Sequence, residues 1–336
     1  MNPLITAIQV LIFPGLSFIL SYTLFAEWLS RKTVARLQNR IGPMHTGWKG
    51  ILQPLADFIK LLVKEDITPA AAQAIIFNFA PILIFAIPLA STFLIPIQSI
   101  TNLWGYEPVA AFEGDLIIVL FLMSVNVLAV FLAGWSSGNL FGAVGATRVA
   151  LMMLAYEIPL GLVAISPAIV ARSLSIVKIV DWEVASAQSF LANPTLPGVM
   201  LGVVMFIGFV IYTICLLAEL EMRPFDMSEA ETEIVHGWQV EYSGVKLALL
   251  NSGQKVKMVL AAGLLTSIYL GGPTGPILPP IVWFILKTSF CVMILSNLSA
   301  LFARFRIDQL VKGAWKYLVP LAVLQVMAVV ALSGVI

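Results

Sequence analysis

The chain has 336 residues, of which 60% are hydrophobic and 11% charged, with a formal net charge of +1. A mean hydropathy of +0.98 lies far above that of water-soluble domains, which are roughly half apolar, so a soluble fold and a separate soluble domain are both excluded. The near-neutral charge gives no bulk electrostatic reason to bind nucleic acid. The two cysteines, Cys215 and Cys291, stand apart inside apolar runs, which gives no basis for a metal site or disulfide in this chain.

Apolar runs at 8–29, 74–97, 115–135, 148–170, 198–218, 245–270, 280–303 and 314–335 predict about eight transmembrane helices in one membrane domain, 1–336, since a span takes about 20 apolar residues. Backbone polar groups in hydrocarbon must pair within the segment, so the fold class is all-α. The first run starts close to Met1 without a basic leader or clear cleavage site and is expected to be a retained helix. After it, residues 48–64 place Leu52, Leu55, Phe58 and Leu62 on one stripe, the pattern of an interfacial amphipathic helix. Such a helix is either a juxtamembrane anchor or a wall of an internal cavity. The sixth run is the least apolar, because it carries Lys246, Lys255 and Lys257.

Lys and Arg set the orientation. Arg31, Lys32, Arg36, Arg40, Lys49, Lys60 and Lys64 follow the first run, and Arg304, Arg306, Lys312 and Lys316 precede the last. Both segments are expected on the cytoplasmic side, with both termini outside.

The connection 219–243 is expected to be an acidic cytoplasmic loop. Glu219, Glu221, Asp226, Glu229, Glu231, Glu233 and Glu241 face a single cation, Arg223, together with His236. A solvated loop is the plain alternative, but Pro224, Phe225, Ile234, Val235 and Trp238 interrupt the acids and are apolar enough to pack. Packed carboxylates would have raised pKa values and could carry protons near neutral pH. Glu157 falls about 14 Å into the fourth run, near the bilayer midplane, and Arg148 is more than two turns from it. An acid there is a candidate relay, with a structural hydrogen bond as the alternative. Lys255 and Lys257 are expected to face a hydrated interior, and Lys287 to snorkel to an interface. His45 and His236 are too far apart in sequence to suggest a metal site. No phosphate loop, nucleophile–base pattern or nucleotide fingerprint occurs, so no catalytic residue is assigned.

Four stretches carry a family resemblance: RKTVARLQNRIGPMHTGWKGILQPLADFIKLLVKED at 31–66, GWSSGNLFGAVGATRVALMMLAYEIPLG at 134–161, AELEMRPFDMSEAETEIVHGWQVEYSG at 218–244 and ARFRIDQLVKGAWKYLVP at 303–320. Together they resemble the H subunit of respiratory complex I and its relatives in membrane-bound [NiFe]-hydrogenases and sulfane-reductase complexes. The resemblance implies an eight-helix subunit that joins a membrane arm to a peripheral arm and helps couple redox chemistry to ion movement. It implies that Glu219, Asp226, Glu229, Glu231 and Glu233 match the family's loop acids, Glu157 its acid in the fourth span, and Arg31, Arg40 and Arg148 its basic positions. No cofactor is expected in this chain. Iron–sulfur clusters, with nickel–iron in the hydrogenase branch, are expected in peripheral-arm partners, beside antiporter-like membrane subunits in a plasma-membrane assembly. Ser30, Met44 and the Gly253-Gln254-Lys255 stretch depart from the quinone-reducing pattern, and the sequence is read as nearer the hydrogenase-related branch. A quinone-binding subunit is the alternative within the family, and a stand-alone secondary transporter the alternative of another class.

Overall fold

A computed structural model describes residues 8–99, 102, 104–192 and 194–334; the expectation about Met1 falls outside the described residues. Its helices are α1 (Leu16–Leu37), α2 (Gln53–Val63), α3 (Ala74–Thr92), α4 (Asp115–Ser136), α5 (Leu140–Ala171), α6 (Ile176–Ala192), α7 (Leu196–Glu219), α8 (Gly244–Tyr269), α9 (Pro280–Leu301) and α10 (Ile307–Ser333). No strand occurs among the described residues, and the chain is an all-helical, multi-pass membrane protein.

Among the described residues, seven segments are long and apolar enough to cross a membrane: Ile8–Leu37, which contains α1, and α3, α4, α5, α7, α9 and α10. The sixth run forms α8, whose 26 residues extend about 39 Å. Its lysines keep it off the apolar count, and its surroundings explain how it tolerates them. From Val256 to Ile268 every residue of α8 is buried in the bundle, so its polar groups meet protein and not lipid. Gly253 lets α8 approach α3 closely, because a Cβ there would lie 2.6 Å from the Ile84 carbonyl oxygen, the small-residue device of membrane helix packing.

The structure moves two boundaries and adds one helix. Helix α1 continues past the first apolar run to Leu37, since Arg31, Lys32 and Arg36 are good helix formers once outside hydrocarbon. Helix α5 starts at Leu140, where the Asn139 side chain accepts a hydrogen bond from the Phe141 N–H and caps the helix. Helix α6 was not anticipated; its 17 residues mix apolar and polar positions, and it connects α5 to α7.

The connections sort to two ends of the bundle. At one, hereafter the loop end, Ser243 donates to the Glu65 carbonyl oxygen at 3.3 Å, Asn139 donates to Glu241 at 2.5 Å and Arg304 donates to Asp226 at 2.6 Å. At the far end, Leu116 N–H donates to the Leu174 carbonyl oxygen at 3.2 Å and Gly271 N–H to Glu183 at 2.5 Å. The main basic segments and the acidic loop therefore share one end.

Candidate functional site

The acidic segment is folded onto the helices. Trp238 is fully buried in a seat made by glycines of α4 and α5. A Cβ on Gly145 would come within 2.5 Å of the Trp238 nitrogen, and one on Gly134 within 2.8 Å of the Trp238 Cβ. Beside it, Gly237 has φ +55 and a Cβ there would meet the Ser228 carbonyl oxygen at 1.7 Å, so only glycine makes this turn. Tyr242 stacks on Phe77 with ring centroids 4.1 Å apart and donates to the Ala133 carbonyl oxygen at 3.2 Å. Two arginines clamp the outer part. Arg148 donates to Glu233 at 2.8 Å and to the Met227 carbonyl oxygen at 3.1 Å, while Arg304 reaches Asp226 at 2.6 Å.

Folding divides the loop acids into two groups. Glu219, Glu221 and Glu229 turn inward. Glu219 is paired with Lys257 at 2.8 Å, both side chains being almost fully buried. Glu221 accepts hydrogen bonds from the Ser228 hydroxyl and, at 3.2 Å, from the Trp238 indole. Glu229 accepts from Gln239 at 2.5 Å and from Gln254 at 2.6 Å. Burial raises the Glu221 pKa above the usual carboxylate value. Glu229 is pushed up to about 8, by burial first and then by the Glu221 charge, which brings its titration to physiological pH. The other group lies outward. Glu231 is exposed, Glu233 is more than half exposed against Arg148, and Arg223 is a mostly exposed neighbour of Asp226 at 3.6 Å. His236 is half-buried.

Two cavities are lined by candidate residues. The first, about 330 Å³, is lined by Ser124, Tyr156, Glu157, Leu160 and Glu219 among others, and the Ser124 hydroxyl donates to Glu157. Glu157 and Glu219 thus open onto one space. The second, about 560 Å³, lies between α1, α2, α3 and α8. Leu20, Leu24, Phe58 and Phe85 give it apolar walls, and Glu27, Arg31, Asp57 and Lys255 also line it. Arg31 bridges Glu27 at 2.5 Å and Asp57 at 2.6 Å. Burial alone would raise the Asp57 pKa, but its hydrogen bonds from Arg31 and Gln53 outweigh that and hold it below the usual value. The amphipathic segment, whose regular helix is α2, is therefore a wall of this cavity. Lys255 and Lys257 lie two positions apart on α8 and so point about 200° apart: Lys255 lines the second cavity, and Lys257 turns to Glu219, which lines the first.

Some expected residues lie elsewhere. Arg40 is exposed beside Gln38. Lys287 reaches the far-end connection, where its ammonium donates to the carbonyl oxygens of Leu270, Gly272 and Thr274 at 2.6–2.9 Å. Among the described residues no group of three or more His, Cys, Asp or Glu could hold a metal ion. Sequence reasoning missed Glu27, Asp57, Ser124, Gln254 and Arg304 as partners. Glu27 was detectable as an acid inside the first apolar run, four residues before Arg31.

The sequence matches the NADH dehydrogenase family over residues 8–330. It is 36% identical to the NADH-quinone oxidoreductase H subunit 2 of Syntrophobacter fumaroxidans over 315 residues, covering 93% of this chain and 91% of that one. It is 37% identical to the NADH-quinone oxidoreductase H subunit of Thermomicrobium roseum, with the same coverage. Against NADH-quinone oxidoreductase subunit 8 of Thermus thermophilus it is 36% identical, over 89% of this chain and 80% of that one.

Proposed function

This chain belongs to the NADH dehydrogenase family that contains the H subunits of complex I, and from that membership we propose that it anchors and couples an energy-converting, ion-translocating redox complex. Membership replaces the stand-alone transporter reading. The observation that carries the proposal is that Glu157 and Glu219, the latter paired with Lys257, line one cavity beneath a folded loop holding Glu221 and Glu229. The Glu229 carboxyl, its pKa pushed up to about 8, exchanges protons near neutral pH and responds to movement of the loop. By the positive-inside rule the loop end faces the cytoplasm and takes the peripheral arm, whose partners carry the iron–sulfur clusters. Antiporter-like membrane subunits and lipid contact the remaining helix faces.

The complex is read as the ferredoxin-linked, hydrogenase-related type, with nickel–iron in a partner, on the departures at Ser30, Met44, Gln254 and Lys255. Ser30 accepts a hydrogen bond from Ser296 at 2.8 Å, and Gln254 holds Glu229, so these positions are integrated into the fold. A second reading has its own observation. The 560 Å³ cavity joins apolar walls to the Glu27–Arg31–Asp57 cluster, which suits an apolar-tailed ligand with a polar head, and the relatives above are named for quinone reduction. Purification of the intact complex separates the two: nickel in a co-purifying chain supports the first, and quinone photolabelling of α1 or α2 supports the second. Coupling itself is tested by measuring ion translocation per electron in a Glu157→Gln complex; an undiminished ratio would rule out the relay role.

A further inference from the structure

A line of polar groups continues from the Glu219–Lys257 pair toward the far end, away from both cavities described above. Tyr212 lies seven residues before Glu219 on α7, hence on the same helix face about 10 Å away. Tyr212 is fully buried, and its hydroxyl has no hydrogen-bond partner in the protein. A buried hydroxyl left bare is costly, which makes this a place for bound water. The Tyr212 ring lies 5.8 Å from that of Tyr269 on α8. Tyr269 donates to the Val163 carbonyl oxygen at 2.7 Å.

Next to it is a buried polar pair between α5 and α10, in which the Ser166 hydroxyl donates to Gln325 at 2.6 Å. Room for both comes from Gly208, one turn from Tyr212: a Cβ there would lie 2.8 Å from the Tyr269 hydroxyl and 2.8 Å from the Gln325 amide nitrogen. Tyr269 in turn lines a groove of about 1020 Å³ between α6 and α7, which also receives Glu183 and Lys287. Hydroxyls, an amide, a carboxyl and an ammonium thus follow one another from the loop end to a groove at the opposite end.

We propose that this line is a proton pathway within the chain, running from Glu219 through the Tyr212 and Tyr269 hydroxyls and the Ser166–Gln325 pair to the Glu183 groove. It rests on the coupling function proposed above and gives that function a route across the bundle. A proton passing the Glu219–Lys257 pair moves to water held at Tyr212. Each hydroxyl accepts a proton on its oxygen as it releases its own, so neither tyrosine changes charge, and the proton ends on the Glu183 carboxylate or in groove water. Burial raises the Glu183 pKa well above the carboxylate range, which suits it to hold a proton at the exit.

The test uses the intact complex reconstituted in vesicles, with Tyr212→Phe, which keeps the ring and removes the hydroxyl. Protons delivered per electron are expected to fall by roughly twofold or more, with uncoupled electron flow retained. Glu229→Gln is measured in parallel. If it lowers the ratio while Tyr212→Phe does not, the pathway is wrong and the coupling function stands; if neither lowers it, both fail. A second readout does not depend on turnover. In a complex carrying Cys215→Ala and Cys291→Ala, a Ser166→Cys thiol, close in size to the hydroxyl side chain it replaces, should react with a small cationic methanethiosulfonate added at the far face much faster than a thiol at Leu264→Cys in the buried core. Equal rates would show a dry bundle and overturn the pathway.

Discussion

Lys257 places its ammonium 2.8 Å from the Glu219 carboxylate and 2.7 Å from the Glu219 carbonyl oxygen. One cation of α8 thereby neutralises a buried acid and caps the last turn of α7, where the helix dipole favours positive charge. The acidic loop is launched from this junction.

Removing one partner of so buried a pair leaves an uncompensated charge, which costs about 3–5 kcal/mol. Lys257→Met is therefore expected to lower the thermal stability of the complex strongly. The double variant Lys257→Met with Glu219→Gln should recover much of the loss. A double-mutant cycle on melting temperature checks this; additive effects would mean that the pair is not energetically coupled.

Glu229 gives a pH signature. Its folded pKa of about 8 lies above the unfolded value near 4.3, so the folded protein binds more protons across that interval. Stability is then highest below about pH 4.3 and declines as pH rises through about 8. Glu229→Gln should remove this component of the decline. Melting curves between pH 5 and pH 9, in roughly unit steps, should show a shallower slope in the variant than in the native chain.

The Trp238 seat predicts a steric effect far from any charge. Gly145→Val pushes a side chain into the Trp238 backbone, and Trp238→Ala empties a buried site at about 3–5 kcal/mol. Both variants should lose amide hydrogen-exchange protection across residues 225–242 while α9 stays protected. Retained protection in that segment would mean that the indole does not fasten the loop.

The helical segments were legible because apolar runs of about 20 residues have few alternatives in a membrane. The exception is instructive: α8 carries Lys246, Lys255 and Lys257, and its place in the bundle comes from neighbours that no window along the sequence contains. Helix α6 escaped notice because its apolar positions are diluted by polar ones. For the site, the acids of 219–243 and Glu157 could be named from the sequence. Which of them turn inward depended on the Gly134 and Gly145 seat and on Gln239 and Gln254, long-range contacts without a local signature. The Arg31–Glu27 contact was the local one, at i,i+4 spacing, yet Asp57 joins it only through the return of α2.

The outer arginine clamps should differ in weight. Glu233 is more than half exposed to its partner Arg148, so that pair is expected to contribute about 0–1 kcal/mol. Arg304 and Asp226 are both largely buried. Arg304→Ala should therefore destabilise the complex more than Glu233→Gln does, as compared by thermal melting at moderate and high salt. Equal effects would place the two clamps in the same environment.

The central claim is that inward-facing carboxylates under a folded loop carry protons during turnover. Its most direct measurement is the number of protons translocated per electron in vesicles holding the intact complex, compared between the native chain, Glu157→Gln with Glu229→Gln, and Glu113→Gln at the far end as control. The account predicts a ratio lowered by roughly twofold or more in the double variant, at near-normal assembly, and an unchanged ratio in the control. A double variant that assembles and pumps at the native ratio would contradict it.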